Sequence, residues 1–213
     1  MNIRKQYLTA LFCIMIMPNL QADTLLGADI EIGLWSPSYD AGNASKNVTG
    51  KSQSVFVSAT IEHPVPLLPN LKVSISKVDS SAYDYTKIDY TGYYEILDND
   101  MVSIDVGLGV TDFQDGHYLG LPFSEILPHV YFDAEVSFPL TNLTGYTDIH
   151  FLSVEGNSMT DAIVGLRYDF ELIAVDLGVK AGYRIQRFDV EDFDQLSFDV
   201  ETKGAFVGLQ ADF

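Results

Sequence analysis

Polar and apolar residues alternate along most of this chain. The stretch "IAVDLGVKAGYRI", residues 173–185, has an apolar side chain at every second position, with charged or small residues between them. The last nine residues, "AFVGLQADF", repeat this pattern up to Phe213. A two-residue period is typical of a β-strand with one apolar face.

Ten segments show this alternation. Short connections follow the even-numbered segments, and longer, more polar connections follow the odd-numbered ones, which is the pattern of an outer-membrane barrel. We therefore predict an all-β fold: a closed, antiparallel, up-and-down transmembrane β-barrel of ten strands, or of eight if the weak segments are loops. The segments are 28–35, 54–62, 71–76, 87–96, 102–110, 130–138, 147–153, 162–170, 173–185 and 205–213.

The two faces of these segments differ in charge. A soluble, ligand-binding barrel would also alternate, with its apolar face turned inward. Here the polar face carries charges of both signs, whereas the apolar face is nearly free of charge. Lipid solvates neither charges nor unpaired backbone groups, so this division favours an apolar outer surface and a charged lumen.

The charged positions on the polar face predict a network inside the barrel. A ten-stranded barrel has a narrow lumen, and buried charges have to be paired and hydrogen-bonded. We expect the basic residues to hold carboxylates in a plugged, polar lumen, with a preference for cations if water passes. The network comprises Arg167, Arg184, Lys72, Lys87 and Lys180 with Asp29, Glu31, Glu95, Asp105, Asp133, Glu135 and Asp176.

The first 22 residues have the layout of a secretory signal peptide. Arg4 and Lys5 precede an apolar run at 7–17, and Ala22 provides a small residue for cleavage. The run is shorter than the roughly 20 residues of a membrane-spanning helix. We predict a signal peptide at 1–22 and a barrel domain at 23–213.

Charge and cysteine content narrow the function further. Residues 23–213 contain 10 basic and 30 acidic residues, because Arg4 and Lys5 are the only charged residues before them. A net charge of −20 makes nucleic acid a poor partner. The single cysteine, Cys13, lies in the predicted signal peptide, so the barrel domain offers no thiolate metal site.

The end of the chain and several short motifs carry a family resemblance. The alternating face formed by Val207, Leu209, Ala211 and Phe213 is similar to the C-terminal signal recognised by the barrel-assembly machinery. With "EHPVPLLPN", "YYEILDN" and "ADTLLGADIEIGLWSP", the chain resembles a family of small proteobacterial outer-membrane β-barrel proteins of unassigned function. The resemblance implies an outer-membrane location in a Gram-negative bacterium. It implies contact with lipid, lipopolysaccharide and the assembly machinery, and it carries over no catalytic residue.

Few residues suggest chemistry. His117 with Asp112 and Asp115 could imitate a rim protease, and His129 beside Ser124 a lipid-modifying enzyme, but no specific catalytic motif is present. The acidic stretch 189–199 could bind Ca²⁺ or Mg²⁺, although it lacks the spacing of an EF-hand loop.

We therefore predict a non-enzymatic outer-membrane protein without a cofactor, which is structural or interacts with surfaces through long acidic extracellular loops. The alternatives are a narrow, cation-leaning channel and a rim-located hydrolase or lipid-modifying enzyme.

Overall fold

The computed structural model describes residues 26–42, 48–65, 67–99, 101–154, 157–170, 175–193 and 196–213. The predicted signal peptide lies outside these ranges. The strands are β1 Gly27–Asp40, β2 Ser54–Glu62, β3 Asn70–Asp79, β4 Tyr83–Asp98, β5 Val102–Tyr118, β6 Leu121–Ser137, β7 Leu143–Val154, β8 Asn157–Phe170, β9 Asp176–Phe193 and β10 Leu196–Asp212.

The ten strands form one closed antiparallel barrel in which chain neighbours are also sheet neighbours. β10 pairs with β1, so that Ala211 lies opposite Ile30 and Val207 opposite Leu34. The backbone N–H of Phe213 donates to the carbonyl oxygen of Ala28 at 3.0 Å. The ten-stranded barrel is confirmed and the eight-stranded alternative is wrong. In the described ranges, no helix is long and apolar enough to cross a membrane.

Apolar side chains cover the outside of the barrel in a continuous belt. Leu108 is 70% exposed and Val164 is 61% exposed, and soluble monomers rarely expose apolar patches of more than a few hundred Å². With about eight residues per strand, a rise of about 3.3 Å and a tilt of about 40°, the belt is about 20 Å tall, comparable to the ~25 Å of a transmembrane barrel. The belt comprises the outward side chains of 28–34, 55–61, 71–75, 88–94, 104–110, 126–136, 143–151, 162–170, 177–185 and 205–213.

Several strands continue beyond the belt, at the end of the barrel opposite Gly27 and Phe213. We call this part the extension; residues 77–86, 112–125 and 186–203 contribute most of it. The sequence predicted long loops after the odd-numbered strands, and this prediction is wrong for most of them. β5 ends at Tyr118 and β6 begins at Leu121, for example. Only the connection after β1 remains long.

The polarity of the strands is inverted in the extension. Along β10, the outward positions change from apolar Val207 and Ala205 to polar Lys203, while the inward positions change to apolar Val200 and Phe198. β9 makes the same change between Ile185 and Phe188. A segment with water outside and an apolar interior follows the rule for soluble sheets. The inversion therefore marks the level at which the barrel leaves the lipid.

Candidate functional site in the barrel lumen

The lumen has three layers, which we name from the end nearest Gly27 and Phe213. The first is the terminal cavity, which is polar. The second is the ion-pair layer, formed by Lys87, Asp89, Asp161, Arg184 and Gln186. The third is the aromatic core, which fills the extension; it contains Tyr83, Tyr85, Phe113, Tyr118, Phe123, Phe188, Val190, Phe198 and Val200.

Charged side chains from β4, β8 and β9 meet in the ion-pair layer. Lys87 is fully buried and forms ion pairs with Asp89 and, at 2.9 Å, with Asp161. Arg184 donates from Nε and Nη2 to the two carboxylate oxygens of Asp161, at 2.9 and 2.7 Å. Two parallel hydrogen bonds of this kind fix the geometry of the pair as well as adding energy. Gln186 also donates to Asp161, at 2.8 Å.

Neighbouring side chains hold this layer from both sides of the barrel. The guanidinium of Arg184 lies over the rings of Trp35 and Phe56, with its Cζ 5.3 and 4.9 Å from the ring centroids, a favourable cation–π arrangement. On the opposite wall, Thr111 Oγ1 donates to Asp89 at 2.7 Å and contacts His129 Nδ1 at 3.0 Å. The layer therefore crosses the lumen from wall to wall.

Aromatic rings close the lumen beyond the ion-pair layer. Phe188 packs edge-to-face on Phe113 and on Tyr85, with centroids 5.1 and 5.5 Å apart. Tyr85 donates its hydroxyl to Gln186 Oε1 at 2.9 Å, which joins the aromatic core to the ion-pair layer. The space left between the rings is about 10 Å³, roughly the volume needed for one water molecule. No ligand-sized cavity remains there.

The terminal cavity has a volume of about 110 Å³ and a polar wall in which acids outnumber bases. Ion pairs occupy part of this wall. Lys72 binds Asp148, and Lys180 binds Glu31 at 2.7 Å. Arg167 donates to both carboxylate oxygens of Glu135, at 2.5 and 2.8 Å, and to Asp169 at 2.9 Å.

The predicted network residues have different surroundings. Each of the five predicted basic residues contacts at least one carboxylate. Among the predicted acids, Glu31 and Glu135 are in ion pairs, Asp29 accepts from Gln210 and Glu95 accepts from Asn70, both at 2.9 Å. Asp105 and Asp133 line the terminal cavity, and Asp176 is exposed at the start of β9.

Sequence reasoning missed two important acids and the aromatic core. Asp161 lies just before the predicted segment 162–170, and Asp148 lies in the predicted segment 147–153. Continuing the alternation through both places would have turned these side chains inward. The predicted polar lumen concerns the belt only; the residues that the sequence predicted as loops form the extension, whose interior is apolar because they follow the inverted pattern.

The structure separates the residues that suggested an enzyme. His129 is buried in the lumen, whereas Ser124, five positions away on the same strand, faces outward; an odd spacing places two strand residues on opposite faces. His117 is exposed, and its Nδ1 lies 3.2 Å from Asp84 rather than against the predicted aspartates. Asp112 instead accepts from Gln114 at 2.5 Å.

Comparisons with known proteins add little to this picture. No protein-family model matches the chain, and neither does any curated protein sequence. Among solved structures, the chain is similar to the crystal structure of Neisserial surface protein A (NspA), with a TM-score of 0.39 and 11% sequence identity over 89% of this chain and 98% of that chain. At this TM-score, the properties of NspA are not transferred to this chain.

Proposed function

We propose that this chain is a non-enzymatic, non-conducting barrel of a bacterial outer membrane. It presents a rigid, acidic, strand-built surface outside the lipid, where it interacts with other surface components. The observation that carries this proposal is the closure of the lumen by two successive layers. The narrow cation channel is disfavoured for the same reason.

The ion-pair layer argues against conduction on energetic grounds. The two bases and two acids of the layer compensate one another, and their side chains are almost fully buried. Opening a path for ions would break contacts with Asp161, and an unpaired charge in this interior is costly. The aromatic core then lies across any path toward the far end.

The outer face of the extension supports the proposed surface interaction. Its acids outnumber its bases Lys51, Lys77, Arg187 and Lys203. Carboxylates that stand on paired strands hold fixed positions, which suits binding to divalent cations bridged to lipopolysaccharide phosphates or to basic partners. The described acids are Asp40, Asp79, Asp84, Asp112, Asp115, Asp189, Glu191, Asp199 and Glu201.

The last strand supports the proposed route to the membrane. Val207, Leu209 and Phe213 project outward from β10, each more than half exposed, and Ala211 lies between them on the same face. These side chains would be available to the barrel-assembly machinery before the barrel closes. This role, the outer-membrane location and the signal peptide all belong to the proposal.

Planar-bilayer recording tests the proposal. The purified protein, with insertion verified by flotation with vesicles, is expected to give no conductance steps above a detergent-only control, because both layers of the lumen are packed. Reproducible steps that depend on the protein and that prefer cations would contradict the proposal and favour the channel.

A further inference from the structure

Four acids stand side by side on neighbouring strands, and three of them, Asp105, Asp133 and Asp148, line the terminal cavity. Glu95 on β4 lies directly opposite Asp105 on β5, Asp105 lies opposite Asp133 on β6, and Asp133 lies opposite Asp148 on β7. Directly opposed side chains have Cβ atoms about 4.5–5.5 Å apart, and like charges in such positions are destabilising. We call these residues the acid row.

The ends of the acid row have partners, but the middle has none in the described part of the chain. Lys72 binds Asp148 at one end, and Asn70 donates to Glu95 at the other. No ion pair or hydrogen bond in the described ranges involves the carboxylate of Asp133, and the buried Oδ1 of Asp105 has no hydrogen-bond partner. Lys72 is the base that acts on both of these carboxylates, and it is already bound to Asp148, so the acids here outnumber the bases.

Buried polar groups beside the acid row are also unpartnered. Tyr146 is 5% exposed and lies on β7, two residues from Asp148, yet its hydroxyl has no hydrogen-bond partner. His150, at 3% exposure, has an unpartnered Nε2. Both residues line the same cavity as Asp105 and Asp133. Buried polar groups are normally hydrogen-bonded. The phenol of Tyr146 lies against Gly165 of β8, whereas His150 stands two positions from Asp148 on β7, so the unpartnered Nε2 of His150 is the group that points to an occupant of the cavity.

We propose that Asp105 and Asp133 bind a divalent cation, Ca²⁺ or Mg²⁺, in the terminal cavity. Both ions prefer carboxylate oxygens and retain water ligands. A cation between the two carboxylates removes their repulsion. Water alone would leave this repulsion in place.

Thermal unfolding tests this site. The protein is refolded in detergent without lipopolysaccharide and stripped with chelator, and unfolding is followed by the band shift on gels. Millimolar Ca²⁺ or Mg²⁺ is expected to raise the melting temperature of the wild type by about 5–10 °C. The D105N/D133N variant is expected to lose this rise, and to melt higher than the wild type when no cation is present, because the repulsion is gone.

A matched control separates this site from the acidic outer surface. Asp189 and Asp199 also lie directly opposite each other, on β9 and β10, but they are exposed on the extension. The D189N/D199N variant removes the same charge and is expected to keep the cation-dependent rise. A rise that persists in D105N/D133N would overturn the proposal. So would a wild type whose stability changes with pH but not with Ca²⁺ or Mg²⁺, since the pair would then be neutralised by protons.

Discussion

Replacing Arg184 with methionine is expected to lower the free energy of unfolding by about 3–5 kcal/mol, the cost of breaking a buried ion pair from one side. Asp161 would lose its bidentate partner and would keep Lys87 and Gln186. The ion-pair layer would then carry an uncompensated negative charge in a closed lumen. Urea unfolding in detergent micelles measures this, followed by the fluorescence of Trp35, the only tryptophan of the chain, whose ring lies against Arg184.

Two further variants separate charge balance from general damage. The R184M/D161N double variant restores neutrality in the layer, so it is expected to be less destabilised than the sum of the two single variants. Lys203 pairs with Glu201 on the outer face of the extension, and K203M is expected to have little effect. If R184M unfolds like K203M, the ion-pair layer does not hold the barrel together.

Replacing Phe188 with alanine is expected to destabilise the extension by about 3–5 kcal/mol, as for other large-to-small changes in a packed core. Phe188 is 2% exposed and contacts Phe113 and Tyr85, so its loss leaves a void in the interior of the extension. Limited proteolysis of the protein in vesicles is the measurement: the wild-type extension is expected to resist, and F188A to be cut within residues 186–203.

The lipid-facing Phe170 supplies the control for this change. Its ring is about half exposed on the outside of the barrel, so F170A removes the same atoms without opening a void in the extension. Cleavage in F170A is expected to match that of the wild type. Equal resistance of F188A and the wild type would mean that the aromatic core is not what orders the extension.

The barrel could be predicted because lipid imposes a strict rule on sequence. Every outward position in the belt has to be apolar, so strands such as 205–213 show an uninterrupted two-residue period. Strand number, closure by Phe213 and the short turns near the termini follow from that rule. The outer-membrane location was inferred from the resemblance to a known family, and no protein-family model matches the chain.

The extension escaped prediction because its alternation has the opposite phase. In β9, the apolar positions are odd-numbered up to Ile185 and even-numbered at Phe188 and Val190. If only the odd-numbered apolar phase is followed, the strand is predicted to end where the phase changes. The charged outward residues beyond that point are then predicted to form a loop. The change is a signal in itself: a two-residue period that reverses its polarity marks a strand passing from lipid into water.

The lumen could be predicted only in part. Inward positions are fixed by the period, so the basic residues of the network could be placed inside. Their partners depend on which strands a long side chain can reach, as when Arg167 on β8 passes β7 to reach Glu135 on β6. Register also decides that Asp105 and Asp133 are neighbours, and the sequence alone does not give the register.

Cysteine labelling along β10 tests the inversion of polarity most directly, because residues 23–213 contain no cysteine. Single cysteines at Asp199, Val200, Thr202 and Lys203 are treated on intact cells with a membrane-impermeant maleimide, with V207C as the lipid-facing control. The reagent is expected to label D199C and K203C and to spare V200C, T202C and V207C. Equal labelling at all four extension positions would contradict the account, since it would mean a solvated loop where the structure has a strand closed over an aromatic core.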